Sequence, residues 1–204
     1  MMVVQSIRGL VVACVAIFAS TTIAVTAPAQ NASMVTGGVT SQPIGHYEFC
    51  QRHPDECKIR TRPAAAPRIT EYGWTLVRKI NMEVNKAITP MTDQEIYGRD
   101  EYWEYPVDAG DCEDFVLLKR RKLMEQGFSA SDLLITVVRK PDGEGHAVLT
   151  LRTSEGDFVL DNLENDVKPW YETHYTFLKR QATFDTGRWV TIENGKDVMV
   201  GALQ

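Results

Sequence analysis

Three short runs of the sequence hold residue types that can do nucleophilic chemistry together: Gly110-Asp111-Cys112-Glu113-Asp114, Gly145-His146-Ala147-Val148 and Val159-Leu160-Asp161-Asn162. A thiol attacks as a thiolate, an imidazole beside it can take the proton, and a carboxylate can hold that imidazole in one tautomer. Cys112, His146 and Asp161 supply these groups in chain order. Their expected settings suit the task. Cys112 opens a predicted helix, where outward amide N–H groups and the positive dipole end favour a thiolate. His146 opens a predicted strand, and Asp161 closes the next one. Each residue alone also has a plain reading. A cysteine at a helix start packs well, a histidine can sit at a strand edge, and Asp before Asn favours a turn.

The elements that must position them follow from periodicity. Trp74, Val77, Ile80, Val84 and Ile88 recur every three or four residues, one face of an amphipathic helix that ends at Pro90. Thr92 and Glu95 are spaced as a capping box for a short helix reaching Gly98. An irregular loop with Tyr102, Trp103 and Tyr105 follows. A second long helix is expected over 111–126, with Gly127 as its C-terminal cap. Its early Glu113 and Asp114, and its later Lys119, Arg120, Arg121 and Lys122, complement the helix dipole. Strands are expected at 133–139, 147–151, 158–160, 176–178, 189–192 and 198–200. Helices first and consecutive strands after them indicate α+β with an antiparallel sheet. One point of geometry conflicts with the triad. A two-residue turn at Glu155-Gly156 sets Asp161 opposite Thr150, on His146's face but four residues along, on the order of 13 Å away. A shifted loop or a bulge is needed to close that gap.

Lys and Arg number 22 against 27 Asp and Glu, giving a net charge of −5 that disfavours nucleic acid as a partner. Residues 1–29 have the layout of a cleaved signal peptide: Arg8, an apolar run, then small residues at Ala27 and Ala29. An uncleaved anchor is the rival reading, weakened by Ser20, Thr21 and Thr22 within the run. Export to the periplasm implies an oxidising compartment. There Cys50 and Cys57 are natural disulfide partners, worth about 2.5 kcal/mol by loop closure. That leaves Cys112 as a free thiol in the mature chain, either inert or kept for chemistry. Residues 30–68 read as a flexible leader with the Cys50–Cys57 loop and a proline-bracketed linker, and 69–204 as the globular domain.

The words VNKAITPMTDQEIYG, EYWEYP, GDCEDFVLLKRRKL, GHAVLTL and FVLDN resemble the bacterial transglutaminase-like cysteine proteinase family, over most of the chain after the leader. The resemblance implies a papain- and transglutaminase-like fold, with N-terminal helices carrying the nucleophile packed on an antiparallel sheet. It also implies Cys112 as nucleophile, His146 as general base and then acid, and Asp161 as the orienting carboxylate. The LapG-type periplasmic members clip large surface adhesins, require Ca²⁺, and are restrained by an inner-membrane cyclic di-GMP receptor. By that likeness Asp111 and Glu113 are calcium ligands, with Asp114 as a further one. The dipole reading of the same acids stays open, because calcium takes six to eight oxygens. The expected function is an exported, calcium-assisted cysteine endopeptidase. Transglutaminase or amidase acyl transfer at the same triad, and a non-catalytic binding module, remain as alternatives.

Overall fold

The computed structural model describes residues 32–195. The expected signal peptide and the strand expected at 198–200 lie outside the described residues. The chain runs β1 (Thr36–Thr40), α1 (Ile44–Arg52), α2 (Glu71–Ala87), β2 (Thr89–Pro90), α3 (Asp93–Tyr97), β3 (Ala109–Gly110) and α4 (Cys112–Glu125). It continues through β4 (Leu133–Arg139), β5 (Gly145–Thr153), β6 (Gly156–Leu160), β7 (Lys168–Pro169), β8 (Thr176–Ala182) and β9 (Asp185–Ile192). Seven strands form one antiparallel sheet in the order β1-β9-β8-β4-β5-β6-β7. The fold is α+β with helices packed on an antiparallel sheet, as the sequence implied. No helix among the described residues is long and apolar enough to cross a membrane.

Strand alternation gives the sheet two apolar faces. Leu133, Ile135, Ala147, Leu149, Leu151 and Leu160 join α2 residues Val77, Ile80 and Val84 and α4 residues Phe115, Val116, Leu117 and Leu123 in the larger core. Val138, Val148 and Val159 point the other way and pack with Met34, Trp170, Phe177 and Ile192. Burying a side chain of this size contributes about 1.5–3 kcal/mol, so the helix-side cluster dominates the fold's stability.

The described part of the expected leader, 32–68, is not a flexible segment. Thr36–Thr40 pairs with β9 as an edge strand, and Ile44–Arg52 forms α1. The domain therefore begins well before residue 69. Thr36–Thr40 is glycine-rich and has no alternating apolar pattern, so only its pairing partner makes it a strand. The expected disulfide joins Cys50 and Cys57, with Cα atoms 5.6 Å apart. It ties the end of α1 to the chain beyond it. His46 of α1 is buried between Trp103 and Trp189, and burial, then the Arg120 charge, lowers its pKa to about 3. His46 is therefore a neutral core residue at physiological pH.

Candidate active site

Two devices bring Cys112 to the sheet. The first is a small parallel pair, Thr89↔Ala109 and Pro90↔Gly110, which fixes the backbone just ahead of α4. Gly110 is required there, since a Cβ would come within 2.6 Å of Asp114 Oδ2. The second is the packing of α4 across β5, which sets the helix start over the first residues of that strand. The Ala147 N–H accordingly donates to the Cys112 sulfur.

The turn between β5 and β6 resolves the geometric conflict. It consists of Ser154-Glu155, one residue earlier than Glu155-Gly156, and pairs Thr153 with Gly156. The Thr153 hydroxyl donates to Gly156 O at 2.8 Å and accepts the Glu155 N–H at 3.1 Å. Gly156 adopts φ of 125°, and a Cβ there would strike the Ala32 carbonyl. Moving the turn by one residue shifts the register by two. Leu160 pairs with Leu149, so Asp161 falls level with Val148, two residues from His146 on the same face. Side chains on that diagonal are within reach. His146 Nε2 and Asp161 Oδ1 are 2.8 Å apart, both side chains buried. That leaves Nδ1 as the ring nitrogen not bonded to Asp161.

Asp161 has two more partners. The Tyr175 hydroxyl donates to Oδ2 at 2.5 Å, and the Leu163 N–H donates to Oδ1 at 3.1 Å. Burial opposes ionisation, but the bonds and charge of His146, with Tyr175 and Leu163, hold Asp161 below its ordinary pKa. The Tyr175 ring lies 5.5 Å from that of His146. Burial and the Asp161 contact raise the Tyr175 pKa, so its hydroxyl keeps its proton. On the helix side, Asn85 Nδ2 donates to Asp161 O at 2.9 Å and anchors the end of β6 to α2.

The other side of Cys112 is crowded with acids. The Cys112 thiol donates to Glu113 Oε2 at 3.1 Å. Burial, followed by the Glu113 charge and that bond, pushes the thiol pKa well up. This opposes the helix-dipole expectation. Burial and the proximity of Asp111 raise Glu113 to about 10. Asp114 rises to about 8 through burial, with Asp111 and Asp93 adding to it. Burial also raises Asp93.

Asp93, Asp111 and Glu113 bring carboxylate oxygens within 4.8 Å of one another. Asp114 stands outside that group: its Oδ1 accepts the Glu104 N–H at 2.9 Å, tying α4 to the aromatic loop. Asp93 takes the place that the sequence had given to Asp114. It arrives through α3, whose capping box on Thr92 and Glu95 is present as expected. The Tyr102 N–H binds Asp93 Oδ2, while Asp93 Oδ1 and Asp111 Oδ1 are buried without a hydrogen-bond partner. The Thr92-Asp93 sequence signalled a helix start and nothing more, so spacing alone could not reveal Asp93 as part of this group. Tyr175 was likewise invisible, lying outside every motif.

The model of the bacterial transglutaminase-like cysteine proteinases matches residues 36–197. Among solved structures, Legionella pneumophila LapG in its EGTA-treated form is 28% identical, covering 59% of this chain and 68% of that one, with a TM-score of 0.49. Its calcium-bound form is 21% identical, covering 78% of this chain and 91% of that one, also with a TM-score of 0.49. No curated protein matches. The family match spans both the helical segment around Cys112 and the strands that carry His146 and Asp161. The chain belongs to the bacterial transglutaminase-like cysteine proteinases and is a cysteine peptidase of that type.

Proposed function

We propose that the protein is an exported, periplasmic endopeptidase that hydrolyses a peptide bond in a protein substrate through Cys112, His146 and Asp161. The observation that carries this reading is the buried 2.8 Å contact between His146 Nε2 and Asp161 Oδ1, beside the Ala147 N–H that reaches the Cys112 sulfur. His146 Nδ1 takes the thiol proton as Cys112 Sγ attacks the carbonyl carbon, and returns it to the leaving amine. Asp161 holds the ring and stabilises the imidazolium. The Cys112 backbone N–H at the start of α4 is one donor to the oxyanion. Water activated at His146 then releases the acyl group and restores the thiol.

Calcium fits the acidic group. Three clustered carboxylates offer hard oxygen ligands, and two of their oxygens are buried and unpaired. Asp93, Asp111 and Glu113 would hold the ion. When bound, it supplies positive charge that offsets carboxylate repulsion beside the thiol. A large surface adhesin as substrate and an inner-membrane cyclic di-GMP receptor as inhibitor complete the reading, carried by the family resemblance.

The test is to incubate the purified mature chain with the surface proteins of its own cells and map newly formed N-termini. Cuts made by the wild type in calcium, and absent for Cys112→Ala or after EGTA, are expected. Incorporation of a labelled amine at glutamine without new N-termini would replace hydrolysis by acyl transfer.

A further inference from the structure

α2 carries two asparagines one turn apart, Asn81 and Asn85, beside the apolar row of Val77, Ile80 and Val84. The helical period marks that row and passes over both amides. Asn81 Nδ2 donates to the Glu164 and Asn165 carbonyls at 3.1 and 2.9 Å. Asn85 Nδ2 donates to the Asp161 carbonyl at 2.9 Å, with Asn165 Oδ1 at 3.1 Å and Glu164 O at 3.2 Å. Main-chain carbonyls only accept, so each amide must turn its NH2 end toward the loop. Among the described residues, these bonds are the ones that join 161–165 to the helical layer.

The fold by itself is poorly served by amides at these positions. Asparagine is a weaker helix former than leucine. Each amide also leaves a buried Oδ1 without a hydrogen-bond partner, which costs stability. What the pair holds is the backbone that aims Asp161. Asp161 Oδ1 meets His146 Nε2 at 2.8 Å and accepts the Leu163 N–H at 3.1 Å. One oxygen thus serves both the contact with His146 and the turn that opens the loop, so the position of the turn sets the position of the oxygen. The two amides divide the task. Asn81 holds the far end of the loop, at 164 and 165, and of the two only Asn85 reaches Asp161.

We propose that Asn85 is a positioning residue of this site, which holds the Asp161 carbonyl and thereby keeps the Asp161 carboxylate on His146. The proposal rests on the peptidase reading given above. Its signature is a crossed order of effects. Asn81 is wholly buried and Asn85 partly exposed, so water can take over bonds of the second amide more readily than those of the first. Asn81→Ala should therefore lower the melting temperature more than Asn85→Ala does. Turnover should follow the opposite order. Asn85→Ala lowers kcat about tenfold with KM within about twofold, because a misplaced group slows chemistry more than binding. Asn81→Ala changes kcat less than about threefold.

Hydrolysis of p-nitrophenyl acetate, a small ester that needs no peptide subsite, measures this with calcium present, at a temperature where each variant is folded. The set is wild type, Asn81→Ala, Asn85→Ala, Asp161→Ala and the double variant Asn85→Ala with Asp161→Ala. If Asn85 acts through the Asp161 carboxylate, the double variant is no slower than Asp161→Ala. Asn85→Ser, whose hydroxyl falls short of the loop, replaces Asn85→Ala if that variant does not fold. Full kcat with Asn85 replaced, equal kcat losses at 81 and 85, or losses that multiply in the double variant would overturn the proposal. Absence of Cys112-dependent turnover in the wild type would instead fail the peptidase reading and take this inference with it.

Discussion

The two sides of Cys112 are built on opposite electrostatic plans. Toward the sheet, each charge is compensated: Asp161 has the His146 ring, the Tyr175 hydroxyl and the Leu163 N–H. Toward α3, Asp93, Asp111 and Glu113 converge with no cation bonded to them among the described residues, though the Arg52 charge eases Asp93, and Asp114 stands close by. The first arrangement is complete as it stands, with a carboxylate held below its usual pKa. The second is strained in the charged form, with Glu113 and Asp114 pushed up to about 10 and about 8, burial leading in both. A preorganised pair needs nothing further to act on a thiol, whereas a cluster of like charges awaits a counter-ion. The thiol between them inherits both influences, and in this state the acidic side prevails, since the sulfur bonds Glu113.

The largest effect should come from the compensated side. In the proposed reaction His146 accepts the thiol proton, so replacing it by Ala should lower hydrolysis by about three orders of magnitude or more. Steady-state turnover of a cleavable peptide measures it. Substantial activity in His146→Ala would mean that the acidic side activates Cys112, and the contrast between the two sides would collapse.

The acidic side should show itself next, in stability against pH. Glu113 and Asp114 have folded-state pKa values raised above those of the unfolded chain, so the folded state binds more protons than the unfolded one. Stability then declines as pH rises from the unfolded values toward the folded ones. Without calcium, the melting temperature should drop by about 10 °C or more between about pH 5 and 8, given ~1.4 kcal/mol per pH unit for each raised group and ~2–4 °C per kcal/mol for a chain of this size. Saturating calcium should flatten that slope by favouring the carboxylates. A melting temperature that rises over the same window without calcium would contradict the strained reading.

A smaller effect separates orientation from chemistry on the sheet side. Tyr175→Phe keeps the ring near His146 and deletes one hydrogen bond to Asp161. Loss of a bond to a charged group costs about 1.5 kcal/mol at the low end of its range, so kcat should fall about tenfold with little change in melting temperature. Unchanged kcat would leave the Leu163 N–H and His146 as sufficient anchors for Asp161.

Much of this arrangement was legible in the residues. The 3.6-residue period gave α2, the Gly127 cap and the order of charges gave α4, the capping box gave α3, and the order of helices and strands gave the fold class. What escaped was set by tertiary pairing. Thr36–Thr40 has no strand pattern and becomes one by lying against β9. The β5–β6 turn could be drawn at Glu155-Gly156 or one residue earlier, and only the second choice brings Asp161 to His146. Gly156 marks the turn in either case, so its presence did not distinguish them. Lys119 and Arg120 read as charges that complement the helix dipole, yet both are buried, Arg120 against Glu56 at 3.2 Å. Periodicity assigns a face to a residue but does not say what a buried face will accept.

The smallest expected effect decides which acid of the α4 start belongs to the metal group. The family resemblance offered Asp114, while the three-dimensional cluster offers Asp93. Asp114 is the better candidate for a structural role, because its Oδ1 already holds the Glu104 N–H and its Oδ2 is shut in beside Gly110. With its pKa near 8, it is largely protonated at neutral pH in the metal-free protein, and an amide of the same shape imitates that neutral form. Asp114→Asn should therefore change calcium affinity by less than about threefold, whereas Asp93→Asn removes a ligand charge and should weaken it about tenfold or more. Calorimetric titration of both variants with calcium measures the difference. Equal losses would place Asp114 among the ligands after all, and would mean that the bond to Glu104 opens when the ion binds.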